Sequence, residues 1–193
     1  MDSAKLGQFV NDKWDSEIVP QLVDYIRIPN KSPMFDANWV QNGYMEQAVT
    51  LMETWAKAQQ LPGLKVEVVR LEGCTPLIFL EIPATGAETG DDTILLYGHL
   101  DKQPEMTGWD DDLGPWTPAL RGDKLYGPGG AHVGYAIFCS PAALLARQAP
   151  RPAPAPCFLP IVSCCRSVRC HLPPHLSPSA SPLPHTSPLG SRA

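Results

Sequence analysis

No aspartate or glutamate follows Asp123, and 12 of the 53 residues from Pro141 onward are proline. Closely spaced prolines remove backbone donors and press on the preceding turn, so this stretch is expected to hold neither a long helix nor a central strand. Runs such as Arg151-Pro152-Ala153-Pro154-Ala155-Pro156 favour extended, solvated backbone. The sequence therefore divides into a foldable part, residues 1–145, and a Pro/Ser/Cys-rich tail, 146–193, expected to be disordered.

Charge divides at nearly the same place. Up to Asp123 the chain carries 20 acidic and 9 basic residues, a net of −11, and the remaining 70 residues carry 6 basic residues and no acid. The overall net charge of −5, without a dense Lys/Arg cluster, argues against nucleic acid and anionic membranes as partners. Met1–Val10 lacks a basic start leading into an apolar run, and nowhere do 18 consecutive apolar residues occur. The expected location is the cytoplasm. There, the six cysteines are expected to stay reduced, with no disulfide framework.

Local patterns place elements in the first part. Val19, Leu22, Val23, Ile26 and Ile28 recur at near-helical spacing, predicting a helix from about Lys5 to just before Pro29, with Pro20 as a kink. Tyr44, Met45, Val49, Met52 and Trp55 form a second stripe, and Leu61-Pro62-Gly63 ends that helix. Strands are predicted over Leu64–Leu71, Pro76–Ile82 and Thr93–His99, the last buried on both faces as in an α/β sheet. A hairpin around Arg121-Gly122-Asp123 leads to a glycine-rich turn and an apolar helix, Gly134–Gln148.

The chemistry concentrates in Leu96-Tyr97-Gly98-His99-Leu100-Asp101-Lys102-Gln103-Pro104. Strand alternation puts His99 and Asp101 on one side at the carboxyl end of a strand. An imidazole there can hold a divalent metal while the carboxylate orients its ring. Together with Gly108-Trp109-Asp110, Gly114-Pro115-Trp116-Thr117-Pro118 and Leu125-Tyr126-Gly127, this run resembles the cytosolic dipeptidase and carnosinase branch of metallopeptidase family M20. The resemblance covers about residues 5–140. It implies an α/β zinc-peptidase catalytic domain of the phosphorylase/hydrolase-like type, a mixed sheet with flanking helices, of which this chain holds an incomplete N-terminal part.

For the site, the resemblance implies two zinc ions, with manganese as an alternative, and dipeptides or short peptides as substrates. His99 matches the first histidine ligand of one zinc, and Asp101 matches the catalytic-site aspartate that steadies that ligand. The family's turn after the position of Tyr126 reads Gly-Arg-Gly-x-x-Asp, its aspartate bridging both zincs. Here Pro128 replaces the arginine and His132 the bridging aspartate. An imidazole offers one lone pair, so His132 could serve at best as a terminal ligand. The family's catalytic glutamates and later ligands have no counterpart after Asp123. The expectation is a truncated, inactive member of the family; the alternative is a non-catalytic fragment that associates with a homologous chain or a chaperone through uncovered strand edges and apolar faces.

Other motifs read more plainly. Cys157, Cys164, Cys165, Cys170, His171 and His175 lack paired spacing and a scaffold for a structural zinc site. Gly127–Gly134 lacks the Gly-Lys-Ser ending of a phosphate loop. Arg121-Gly122-Asp123 reads as turn chemistry, and Trp109 with Asp110–Asp112 as a polar loop with one packed ring.

Overall fold

The computed structural model describes residues 3–83, 93–130, 134–148 and 161–163. The first predicted helix is divided. Helix α1 (Ser3–Lys13) runs into a wider π-helical turn at Trp14–Ile18 and then into α2 (Val19–Arg27). The cause is Pro20, which lacks an N–H and whose ring crowds the carbonyl one turn back. The helix widens just before it, so that the Val19 N–H bonds the Trp14 carbonyl five residues earlier. A short α3 (Trp39–Asn42) meets α4 (Tyr44–Ala58) at Gly43, whose φ of 69° lets the chain change direction between them.

Two sheets follow. Strands β1 (Lys65–Val69), β2 (Leu77–Glu81), β3 (Leu96–Gly98) and β6 (Ile161–Ser163) form one sheet in the order β1-β2-β6-β3. In it β1 and β2 are antiparallel, β2 and β6 antiparallel, and β6 and β3 parallel. The second sheet is the expected hairpin, β4 (Ala119–Arg121) with β5 (Lys124–Tyr126). Helix α5 (Ala136–Gln148) continues through Pro141 and packs on β3, α1 and α4.

The core lies between the four-stranded sheet and the helices. The register pairs Val66 with Leu80 and Val68 with Ile78, which puts these four side chains on one face. That face meets Ala48, Val49, Met52 and Ala56 of α4 and Ile137 and Phe138 of α5. Ile78 and Leu80 are fully buried, each contributing about 1.5–3 kcal/mol by area removed from water. Trp55 packs edge-on against Phe138, with ring centroids 4.7 Å apart and an interplanar angle of 79°.

Two expectations are corrected. Strand β3 is not buried on both faces: Leu96 packs on the core, but Leu95 and Tyr97, which alternation puts on the opposite face, are each 55% exposed. A central strand also forms within the segment where proline spacing was expected to forbid one. Ile161–Ser163 lies between β2 and β3, a stretch without proline in which Ile161 and Val162 are β-branched. The rest of the expected tail beyond Gln148 lies outside the described residues. Among the described residues, no helix is long and apolar enough to cross a membrane.

Candidate functional site

His99 follows directly on β3, and the chain then turns through Leu100 and Asp101. The i, i+2 spacing brings the two side chains together, with His99 Nδ1 2.9 Å from Asp101 Oδ1. In this geometry an Nδ1–H donates to the carboxylate, and metal ligation by the same ring would go through Nε2. His99 is 17% exposed at its side chain and Asp101 6%, so the pair sits at the edge of the core rather than in open solvent.

A parallel clamp fixes this turn from behind. Residues Asn30–Ser32 lie alongside Leu100–Lys102: the Lys102 N–H donates to the Asn30 carbonyl and the Ser32 N–H to the Lys102 carbonyl, both at 2.9 Å. Asn30 Nδ2 donates to the Leu100 carbonyl at 2.7 Å, and the Tyr25 hydroxyl donates to the same oxygen. Burial, the largest influence, raises the Tyr25 hydroxyl well above its ordinary value; Asn30 lowers it and the Asp101 charge raises it. A Lys31–Glu105 ion pair at 3.0 Å and the burial of Asn30 and Ser32 close the clamp.

Lys102 occupies the interior behind Asp101. Its side chain is buried, and Nζ donates to the backbone carbonyls of Tyr25 at 2.5 Å, Ile26 at 3.3 Å and Ile28 at 2.7 Å. These are acceptors at the C-terminal end of α2, where a cation also complements the helix dipole. The same nitrogen lies 4.0 Å from the centroid of the Tyr25 ring and 5.4 Å from that of Trp116. Desolvation lowers the ammonium to about 7, while carbonyl acceptors and ring faces favour its charged form.

The remaining candidates distribute as follows. His132 lies outside the described residues. Trp109 donates its indole N–H to the Met106 carbonyl at 2.8 Å, and Arg121 ties the acidic loop down by pairing with Asp112 and, at 3.5 Å, with Asp110. Arg121-Gly122-Asp123 is thus a hairpin turn whose arginine braces the preceding acidic loop. Among the described residues no cluster of three or more His, Cys, Asp or Glu side chains could hold a metal ion. The His99–Asp101 pair has the geometry in which an imidazole could offer Nε2 to a metal while the carboxylate orients its ring.

Sequence reasoning passed over Lys102, Tyr25, Asn30 and Ser32. A lysine after a strand-end motif reads as a surface residue by default. The one signal was its place between an apolar run and Gln103-Pro104, in a segment too tightly constrained for a long side chain to reach water.

No protein-family model matches the chain. No curated protein matches it in sequence. Among solved structures it is similar to human carnosine dipeptidase 1, at 22% identity and a TM-score of 0.59, covering 84% of this chain and 34% of that one. It is similar also to the di-peptidase Dug1p from Saccharomyces cerevisiae, at 17% identity and a TM-score of 0.62, with the same two coverages of 84% and 34%. A third is the M20 family metallo-carboxypeptidase Sso-CP2 from Sulfolobus solfataricus, at 16% identity and a TM-score of 0.54, covering 77% of this chain and 30% of that one. The chain spans about a third of the length of these proteins, and over that span it has the α/β fold of M20-type dipeptidases and carboxypeptidases.

Proposed function

We propose that this polypeptide is a segment of an M20-type metallo-dipeptidase catalytic domain that keeps one metal-ligand position and does not hydrolyse dipeptides by itself. The observation that carries this reading is the His99–Asp101 pair at the end of β3, in a chain with the α/β fold of M20-type dipeptidases. Two adjacent dications require a shared carboxylate and further anionic groups around them. The glycine turn Gly127–Gly130 leads instead toward His132, and no carboxylate side chain follows Asp123. Peptide hydrolysis further needs a base to take the proton from water, and losing a positioned base costs on the order of a hundredfold to ten-thousandfold in rate.

A dipeptidase assay with added zinc or manganese tests the reading. The expected result is no turnover above background for this chain, unchanged by His99→Ala. Turnover comparable to that of a complete dipeptidase, abolished by His99→Ala, would refute it.

A second reading, association with a homologous chain, is favoured by the exposure of Ile94, Leu95 and Tyr97 beside the outer strand β3. An outer strand of the described sheet bordered by apolar side chains is a template for edge pairing. Sedimentation measures this: concentration-dependent association reduced by Tyr97→Lys supports it, and a compact monomer at all concentrations that binds no homologue contradicts it.

A further inference from the structure

The geometry points to Lys102 as a positioning residue: its buried side chain ties the C-terminal end of α2, the Trp116 loop and the glycine turn to the segment bearing Asp101, and thereby sets the His99–Asp101 alignment. This goes beyond the metal reading and stands whether or not a metal binds.

Three separate segments converge on one side chain. From α2 and the residue after it come the carbonyls of Tyr25, Ile26 and Ile28 and the face of the Tyr25 ring. The second segment supplies the Trp116 ring. The third is the glycine turn, where Gly129 takes a φ of 83° directly against the lysine stem. A Cβ there would stand 2.9 Å from Lys102 Cε and 3.2 Å from Tyr25 Cε1, so the turn passes only because it has no side chain at this point. Gly134, which closes the turn by donating its N–H to the Gly129 carbonyl at 2.8 Å, is likewise pressed against the Tyr25 ring.

An ammonium can make up to three donor bonds radiating from one point, so a single group can serve the Ile26 and Ile28 carbonyls and join the Ile28 N–H on the Tyr25 carbonyl. A methionine of similar length would fill the volume and satisfy none of them. The link to the pair is covalent and short: Asp101 precedes Lys102, and the Lys102 backbone is itself bonded on both sides to Asn30 and Ser32. With the lysine side chain anchored to α2 and its backbone anchored to the following segment, the direction of the Asp101 carboxylate is fixed. The carboxylate in turn fixes which nitrogen of His99 bears the proton.

The test uses the full chain and reads the His99 ring by nitrogen-15 NMR at pH 7, its signals assigned by their loss in His99→Gln. In the unaltered protein the Lys102 Nζ–H signal, read at about pH 5.5 where the ammonium is charged, is expected to be observable and slow to exchange, unlike those of the surface lysines. Lys102→Met is expected to convert the His99 pattern from one dominated by protonated Nδ1 to an average of both tautomers, with partial return in Lys102→Arg. Ile78→Val serves as the structural control, lowering stability through the core while leaving the His99 pattern unchanged. If Lys102→Met does not fold, Trp116→Leu, which removes one ring face and keeps the ammonium, is expected to shift the pattern the same way by less. A Lys102 Nζ–H exchanging as fast as the surface lysines would overturn the inference. So would an unaltered His99 pattern in whichever of these variants folds. Zinc titration, which tests the metal reading, is independent of both outcomes.

Discussion

Lys102 and Arg121 are both cations held by several oxygen acceptors, yet they stand in opposite surroundings. Lys102 is 1% exposed, its partners are backbone carbonyls, and two aromatic rings flank it. Arg121 lies at a hairpin tip in solvent with the carboxylates of Asp110 and Asp112, and its own ring neighbour is Tyr126 at 5.3 Å. Opposite charges make the Arg121 group the stronger pair on paper, but water screens it and solvates either partner when the other leaves. Around Lys102 no water replaces a lost donor, so the weaker acceptors matter more. What a contact contributes here depends on what would take its place.

Substitutions can break this contrast, beginning with the largest effect. Lys102→Met takes the ammonium donor from the Ile26 and Ile28 carbonyls in a buried place, and chemical denaturation should show a loss on the order of 2–4 kcal/mol. Leu80→Ala, on the covered face of the sheet, should cost a similar 2–5 kcal/mol by leaving a cavity. Unlike Lys102→Met, it should leave the His99 ring signals in place.

Tyr25→Phe removes one buried donor to the Leu100 carbonyl while keeping the ring that faces Lys102, and about 1 kcal/mol should be lost. The same variant carries a pH signature. Burial raises the Tyr25 pKa in the folded state, so the stabilisation is fully present below the unfolded value of about 10 and is lost as pH rises above it. The fall in stability above pH 10 should therefore be shallower in Tyr25→Phe than in the unaltered chain, as measured by thermal melts across that range.

The smallest effect belongs to the surface group. Arg121→Gln should leave the denaturation midpoint unchanged within error and loosen only the Asp110–Asp112 loop, visible as faster amide exchange at Leu113. A midpoint loss as large as that of Lys102→Met would erase the distinction between the two sites.

The same contrast explains what could be read from residue order. The α4 stripe and the alternation of β1 and β2 were legible because side chains of one character repeat at one period, and that period is the fold. The His99–Asp101 pair was legible because strand spacing alone brings the two together. The Lys102 cage was not, since its partners come from residues 25–28, 116 and 129, and its main acceptors are carbonyls that every residue possesses. The outer position of β3 was also hidden. An apolar run such as Ile94-Leu95-Leu96 reads the same whether or not another layer covers it, and only the packing on each face decides. Strand β6 escaped because three residues in a proline-rich stretch carry too little pattern to stand out against their surroundings.

We propose that this polypeptide holds one ligand position of a metal centre and not the centre itself. The most direct measurement is metal content per chain after incubation with zinc and exhaustive dialysis, compared between the unaltered protein and His99→Ala. The account predicts fewer than two zinc ions retained and no tightly held pair dependent on His99. Two firmly bound zinc ions per chain, both lost on substituting His99, would contradict it.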